Sequence, residues 1–168
     1  MIVRRVRPDE WRSVRDLRLA ALADFPLAFA ERLGEAQAKT DDRWQARTRV
    51  QAESETDFLA VAENADGELV ATTGGFVDTV RPGCVTVYFV YVAPAWRGRG
   101  IAEALVDAVR AWAADLPGID CLALLVFSEN DRAIAAYTRL GFRDTGVVSA
   151  HPLAPRKTER EMRLSLAP

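Results

Sequence analysis

From position 97 to 102 the chain reads Arg-Gly-Arg-Gly-Ile-Ala, two guanidinium groups and two glycines ahead of apolar residues spaced for a helix. A helix N-terminus leaves about four backbone N–H groups unpaired and carries the positive end of the macrodipole, so phosphates settle there readily. Gly98 and Gly100 let the backbone curl against such a ligand with no side chain in the way. Arg97 and Arg99 would add charge-assisted donors for its oxygens. The chemistry this spacing points to is a pyrophosphate cradle, although a glycine-rich turn with two solvated arginines meets the same description. A Walker-type phosphate loop is absent, and a dinucleotide fingerprint would need glycine at position 103, where Glu103 stands. A nucleotide-binding protein without further chemistry is therefore a weak reading.

Other reactive side chains are few. Cys84 and Cys121 make neither a disulfide framework nor a zinc ligand set, and Cys121 lies in a buried apolar run where thiols are usually inert. No metal is expected, for want of ligands. His151, the single histidine, titrates near neutrality and is a candidate base; an exposed turn residue before Pro152 is the preferred reading. Arg12, Arg15 and Arg18 form a basic stripe on the first helix, read as a solvated face.

The elements that must hold these residues follow from periodicity. The chain has 168 residues, 49% hydrophobic and 27% charged, which suits one globular domain over residues 1–168. Lysine and arginine number 22 against 24 acidic residues, a net charge of −2, which argues against nucleic acid or an anionic membrane as partner. The longest apolar run, CLALLVF at 121–127, is too short to span a bilayer, and the N-terminus lacks the apolar core of a signal peptide. A reducing, cytoplasmic setting is the default.

IVRRV at 2–6 reads as a strand, and Pro8 opens a helix with Trp11, Val14, Leu17 and Ala21 as its stripe, interrupted at Pro26. A second helix is predicted after Thr40, with Asp41 and Asp42 in its first turn. DFLAVAE and LVATTGGFV form a hairpin around Asp66-Gly67, and CVTVYFVYVA at 84–93 is a third strand of that series. The glycine-arginine turn then leads into a helix with Ile101, Leu105, Ala108, Val109 and Trp112 on one face. CLALLVF is apolar on both faces and reads as a central strand. DRAIAAYTRL is a helix closed by Gly141, and FRDTGVVSA and REMRLSL supply two last strands. The predicted order is β-α-α-β-β-β-α-β-α-β-β: an α/β fold with a mixed, mostly antiparallel sheet of six to seven strands and about four helices on its faces.

This pattern resembles the GNAT superfamily of N-acetyltransferases. The family's phosphate-loop signature (Gln or Arg, two free positions, Gly, one free position, Gly or Ala) is met by Arg97, Gly100 and Ala102. The strand ending VYVAP before it, the amphipathic helix after it, Asn130, Tyr137 and the closing LGF at 140–142 complete the likeness, and the lead-in elements extend it over nearly the whole chain.

The resemblance implies acetyl-CoA as co-substrate. Its pantetheine arm would pair with the backbone of Val90, Tyr91 and Val92, and its pyrophosphate would sit on Gly98, Arg99, Gly100, Ile101 and Ala102 beside Arg97. Asn130 would bond the pantetheine arm, or serve as a plain helix cap, with Ser128 and Asp131 competing for that role. Tyr137 matches the family's general acid, the donor that protonates the leaving thiolate; packing beside Ala133, Ile134 and Leu140 is the alternative. A backbone N–H of Val90 or Tyr91 would stabilise the oxyanion.

The base is missing from the expected strand, whose polar members are Thr86 and Tyr88. Asp78 acting through water, Glu31, Glu35 and a water chain are the substitutes. DFPLAFA at 24–30 falls where the family's αα connection overhangs the acceptor, so Phe25, Leu27 and Phe29 are either pocket wall or core. The implied activity is transfer of an acetyl group to a primary amine of a small molecule or of a protein or peptide. A non-catalytic acyl-CoA sensor on the same fold is the alternative, and homodimers are common in the family.

Overall fold

The computed structural model describes residues 1–166. A short strand β1 (Ile2–Arg5) is followed by a 3-10 turn at Pro8–Glu10 (a second lies at Pro94–Trp96) and three helices, α1 (Trp11–Asp24), α2 (Leu33–Gln37) and α3 (Asp41–Glu53). Three strands then run in sequence: β2 (Asp57–Glu63), β3 (Leu69–Val77) and β4 (Cys84–Val92). Helix α4 (Ile101–Ala114), strand β5 (Cys121–Phe127), helix α5 (Asp131–Arg139) and strands β6 (Arg143–His151) and β7 (Ala154–Ser165) complete the order.

The fold class is as expected, with seven strands and, among the described residues, five helices rather than about four. The addition is α2, a single turn and a half whose Glu35 carboxylate accepts from the Arg32 N–H at 3.1 Å. Its only buried residue is Ala36, so it has no apolar stripe for periodicity to detect.

The sheet runs β1-β2-β3-β4-β5-β7-β6, and every neighbouring pair is antiparallel except β4 and β5. That parallel pair is joined by α4, the crossover such a pair requires. Helix α4 seats Ile101, Leu105, Val106 and Val109 against Phe58, Ala60, Val85, Val87 and Leu122 on one face of the sheet. Helix α1 seats Val14, Leu17 and Ala21 against Leu59, Val61, Phe89 and Tyr91 on the other. The central strands are covered on both sides, so β2 is apolar without alternation from Phe58 to Ala62.

Two irregularities shape the site. Strands β4 and β5 pair only from Cys84↔Cys121 to Thr86↔Ala123, and then part. Along β4, Tyr88 faces Gly74 and Tyr91 faces Thr72, so Phe89 and Val90 together oppose the single residue Thr73 of β3. This bulge puts Phe89 at φ 53°, a left-handed conformation rare for a bulky residue. Strain of this kind persists where the surrounding packing over-determines it, and Phe89 is buried on the α1 face.

The expectation of unlinked cysteines is overturned. Cys84 and Cys121 occupy directly opposed positions on β4 and β5, with Cα atoms 4.7 Å apart, and their sulfurs are joined in a disulfide. They lie 37 residues apart in the chain, and only the cross-strand register brings them together.

Candidate active site

The parting of β4 and β5 opens a cavity of about 730 Å³ that runs from the glycine-arginine turn, past the bulge and α5, to the β6–β7 hairpin. Beyond Thr86 the β5-facing edge of β4 has no strand partner, so Val90 and Val92 line a slot, while Tyr91 and Val92 remain paired with Thr72 and Ala71 of β3. Tyr91 is buried, and its hydroxyl donates to Asp24 at the end of α1 at 2.8 Å. Burial and that carboxylate push its phenol up to about 12, so it remains neutral.

The turn at one end is built for an anion. Gly98 and Gly100 both have φ 74°, and Gly100 is the N-cap of α4. Among the described residues, the backbone N–H groups from Gly98 to Glu103 have no acceptor. A Cβ added at either glycine would meet nothing within 4 Å, so the space above the turn is open to a ligand. The turn therefore fits the pyrophosphate of acetyl-CoA.

The arginines divide. Arg99 lies over Trp96 at 4.8 Å and is exposed. Arg97 is folded back, donating through Nε to the Val92 carbonyl at 2.9 Å and through Nη2 to Asp24 at 3.0 Å. Its guanidinium thus ties the end of β4 to the end of α1.

Asn130 caps α5, its Oδ1 accepting from the Ala133 N–H at 3.1 Å, and it lines the cavity as well. Ser128 does not compete for the cap, because its hydroxyl accepts from Thr158. Tyr137 lines the cavity from α5, its ring edge-on to Phe142 at 5.8 Å. Its hydroxyl makes no hydrogen bond among the described residues, and desolvation pushes it up to about 12. A phenol held neutral in this way keeps a proton to give.

The sequence candidates for a base are occupied, and none of them lines the cavity. Asp78 accepts from the Thr86 hydroxyl at 2.5 Å, from Arg81 at 2.8 Å and from the Val80 and Arg81 amides. These bonds overcome its burial and hold it at about 2, far too acidic to take a proton from an amine. Glu31 is bonded by Lys39 and, at 3.0 Å, by Arg18, and is held low by both. Glu35 is exposed and paired with Arg32.

His151 is not an exposed turn residue. It ends β6, 1% exposed, with only Pro152 and Leu153 forming the turn to β7. Its Nδ1 accepts from the Leu153 N–H at 3.1 Å, which leaves Nε2 as the protonated nitrogen, 3.0 Å from the Leu27 carbonyl it donates to. In that tautomer it has no free lone pair for catalysis; it fastens the loop after α1 to the last hairpin.

Arg18 also departs from the solvated stripe. It lies between the rings of Phe29 and Phe89, at 4.9 and 4.8 Å, and its own pairing with Glu31 compensates the burial. Phe25 and Phe29 line the cavity, so DFPLAFA supplies wall, while Leu27 supplies the carbonyl that His151 holds. Tyr88 is half-buried in a polar cluster, donating to Asp57 at 3.0 Å and accepting from Gln51 at 2.7 Å, and desolvation raises its phenol.

Glu159 escaped the sequence reading. It lies on β7 opposite Phe127 of β5, lines the cavity, and has a side chain only 12% exposed. The signal for it was present: Lys157, Glu159, Glu161 and Arg163 alternate along one strand beside an apolar central one. Charge at every second position of such a strand marks a polar face opposed to the core.

Among the described residues no cluster of three or more histidine, cysteine, aspartate or glutamate side chains is placed to hold a metal ion. No helix is long and apolar enough to cross a membrane.

Comparison with known proteins agrees with the fold. Residues 15–142 match the family model described as the acetyltransferase (GNAT) family. A mycothiol acetyltransferase from Salinispora tropica is 33% identical over 132 residues, 75% of this chain and 39% of that protein, so the chain spans well under half the length of that curated relative. The acetyltransferase of GNAT family from Streptococcus pneumoniae superposes with a TM-score of 0.81 at 15% identity, over 99% of both chains. Spermidine N-acetyltransferase from Vibrio cholerae, solved with CoA and spermine, superposes with a TM-score of 0.77 at 16% identity, over 98% of this chain and 95% of that one. At these identities the two structures speak for the fold. The chain is a member of the GNAT acetyltransferase family.

Proposed function

We propose that residues 1–168 act as a single N-acetyltransferase domain that transfers the acetyl group of acetyl-CoA to a primary amine. The observation that carries this reading is the open turn of unpaired N–H groups, Gly98 to Glu103, at one end of the slot left by the parted strands. In this reading Gly98, Arg99, Gly100, Ile101 and Ala102 hold the pyrophosphate, with Arg97 bracing the turn. Val90, Tyr91 and Val92 pair with the pantetheine arm as an added strand would, and Asn130 bonds it from the opposite wall. A backbone N–H at the β4 bulge, from Val90 or Tyr91, receives the oxyanion. Tyr137 protonates the departing thiolate.

The acceptor end is placed between Arg18, Phe29, Phe89 and Phe127, all of which line the cavity. Small amines are favoured as acceptors, because a relative 33% identical to this chain carries the name of a mycothiol acetyltransferase. A protein or peptide amino group is the second class, and a homodimer is the assembly expected of the family. The cytoplasm is the proposed site of action.

The test is thiol release from acetyl-CoA, read with a chromogenic disulfide, across polyamines, amino acids, amino sugars and N-terminal peptides. Acceptor-dependent release is the expected result. Tyr137→Phe should then lower kcat by about 10²–10⁴-fold, the range for one proton-transfer group, with acetyl-CoA affinity by calorimetry unchanged. Acetyl-CoA binding without release for any acceptor would turn the reading to a sensor. No binding would remove it altogether.

A further inference from the structure

An acetyl transfer to an ammonium needs a proton acceptor, and the carboxylates around the slot are nearly all engaged. Asp78 and Glu161 share Arg81, Asp57 is bonded by Arg47 and Tyr88, and Glu31 is bonded by Arg18 and Lys39. Asp24 holds Tyr91 and Arg97. Glu103 lies in the first turn of α4, at the phosphate end.

Glu159 is the exception. Among the described residues its carboxylate makes no hydrogen bond and has no lysine or arginine partner; the nearest titratable group is His151, whose Nε2 lies 3.9 Å from Oε1. That nitrogen already donates to Leu27, so the imidazole stands behind the carboxylate without quenching it. Phe127, the cross-strand neighbour of Glu159, packs edge-on against His151 at 5.8 Å and closes the site from the β5 side. The same cavity holds Tyr137 on α5 and Phe89 at the β4 bulge. A carboxylate that is desolvated, unpaired and open to a ligand cavity is an unusual expense for a fold that pairs its other buried acids.

We propose that Glu159 is the general base of the transfer and the anionic anchor for the acceptor's ammonium group. This rests on the transferase reading. The ionised carboxylate receives the protonated amine and removes one proton, leaving the nitrogen lone pair free to attack the thioester carbonyl carbon. A C–N bond forms, and the C–S bond breaks as the tetrahedral adduct collapses. Tyr137 gives its proton to the thiolate sulfur, and the nitrogen's second proton restores the phenol. The proton on Glu159 passes to solvent, so each turnover releases one proton and one thiol.

Burial raises the carboxyl of Glu159 above its ordinary range, which moves it towards the pH at which a base works best. The charged and titratable groups facing the cavity are Arg18 from α1, Tyr88 and Tyr91 from β4, Arg97 and Glu103 at the glycine-arginine turn, and Arg132, Tyr137 and Arg139 from α5, with His151 of β6 beside Glu159. Lys157, on β7 itself, is drawn to Glu129 at 2.8 Å.

The test compares wild type, Glu159→Gln and Glu159→Asp, with kcat/KM for an accepted amine measured from pH 5 to 9. Wild type should show an ascending limb from ionisation of Glu159, below the limb of the amine itself. Glu159→Gln should lose that lower limb and about 10²–10⁴-fold of kcat/KM, with acetyl-CoA affinity unchanged. Glu159→Asp, which keeps the carboxylate one methylene short, should be slower than wild type yet retain the limb. A Gln variant with the wild-type rate and profile, or an Asp variant that folds, binds acetyl-CoA and lacks the limb, would overturn the role of Glu159 and leave the transferase intact. Failure of wild type itself to bind acetyl-CoA would overturn both.

Discussion

Gly100 carries two demands at once. Its φ of 74° lies in the left-handed region, and its Cα faces open space that a phosphate would fill. Gly100→Leu should therefore separate two effects. Left-handed strain should cost about 1–2 kcal/mol of stability, read as a lower urea midpoint. Acetyl-CoA binding should vanish in calorimetry, because the new side chain meets no protein atom and takes the ligand's space instead. A variant that binds acetyl-CoA normally would mean that the turn is only a turn. The resemblance made this stretch legible residue by residue, since glycine spacing and a helix start are both local. The functions of Asp78 and Glu31 were not legible, because a carboxylate's basicity depends on which cations fold against it.

The decisive elements are β3 and β4, which together set the slot. Gly74 lies opposite Tyr88, and a Cβ there would come within 2.2 Å of the Tyr88 ring. The missing side chain lets that ring lie flat across β3 and reach Asp57 and Gln51. Gly74→Ala should cost about 1–3 kcal/mol, as overpacking of a filled core does. Displaced Tyr88 should also raise the acceptor KM more than it changes acetyl-CoA affinity, since Tyr88 lies towards the acceptor end. Steady-state kinetics on the purified variant would check this, and an unchanged acceptor KM would remove Tyr88 from the pocket wall. The strand itself was plain from its β-branched and aromatic residues. The bulge at Phe89 was not, because two residues opposing one is a property of the pair of strands and leaves no mark in either.

Across the whole molecule, buried ion pairs join elements far apart in the chain. Arg81, in the loop between β3 and β4, bonds Asp78 at 2.8 Å and Glu161 of β7 at 2.6 Å, bracing the base of the slot. Asp78 is lowered from 3.8 to about 2, and Glu161 is lowered by Arg81 and Arg163. A depressed carboxyl stabilises the fold above its unfolded pKa and loses that contribution as pH falls through the folded one. Stability should therefore drop between about pH 4 and pH 2, with Asp78 alone accounting for about 2 kcal/mol. Glu159 acts with opposite sign, since its raised carboxyl becomes easier to bury once protonated. Urea titrations at pH 7, 4 and 3 would measure the slope, and Asp78→Asn should flatten it. An equal slope in the variant would assign acid sensitivity to Glu10 and Glu31, which are also held low by arginine and lysine partners.

Sequence alone determined the succession of strands and helices apart from α2, and the glycine-rich turn that opens α4. Both follow from short-range rules: apolar spacing, β-branched runs, and glycines at helix ends; Asn130 and Tyr137 were singled out only by the family resemblance. Tertiary structure decided the rest. Cross-strand register joined Cys84 to Cys121 and set Glu159 beside Phe127. The close of the last hairpin on the loop after α1 buried His151 and fixed its proton on the nitrogen facing Leu27. Packing of α1 over the bulge drew Arg18 inward between two rings. Charge, tautomer and basicity depend on neighbours distant in the chain, so a residue's type can name the chemistry it is capable of, and only the fold assigns the one that performs it.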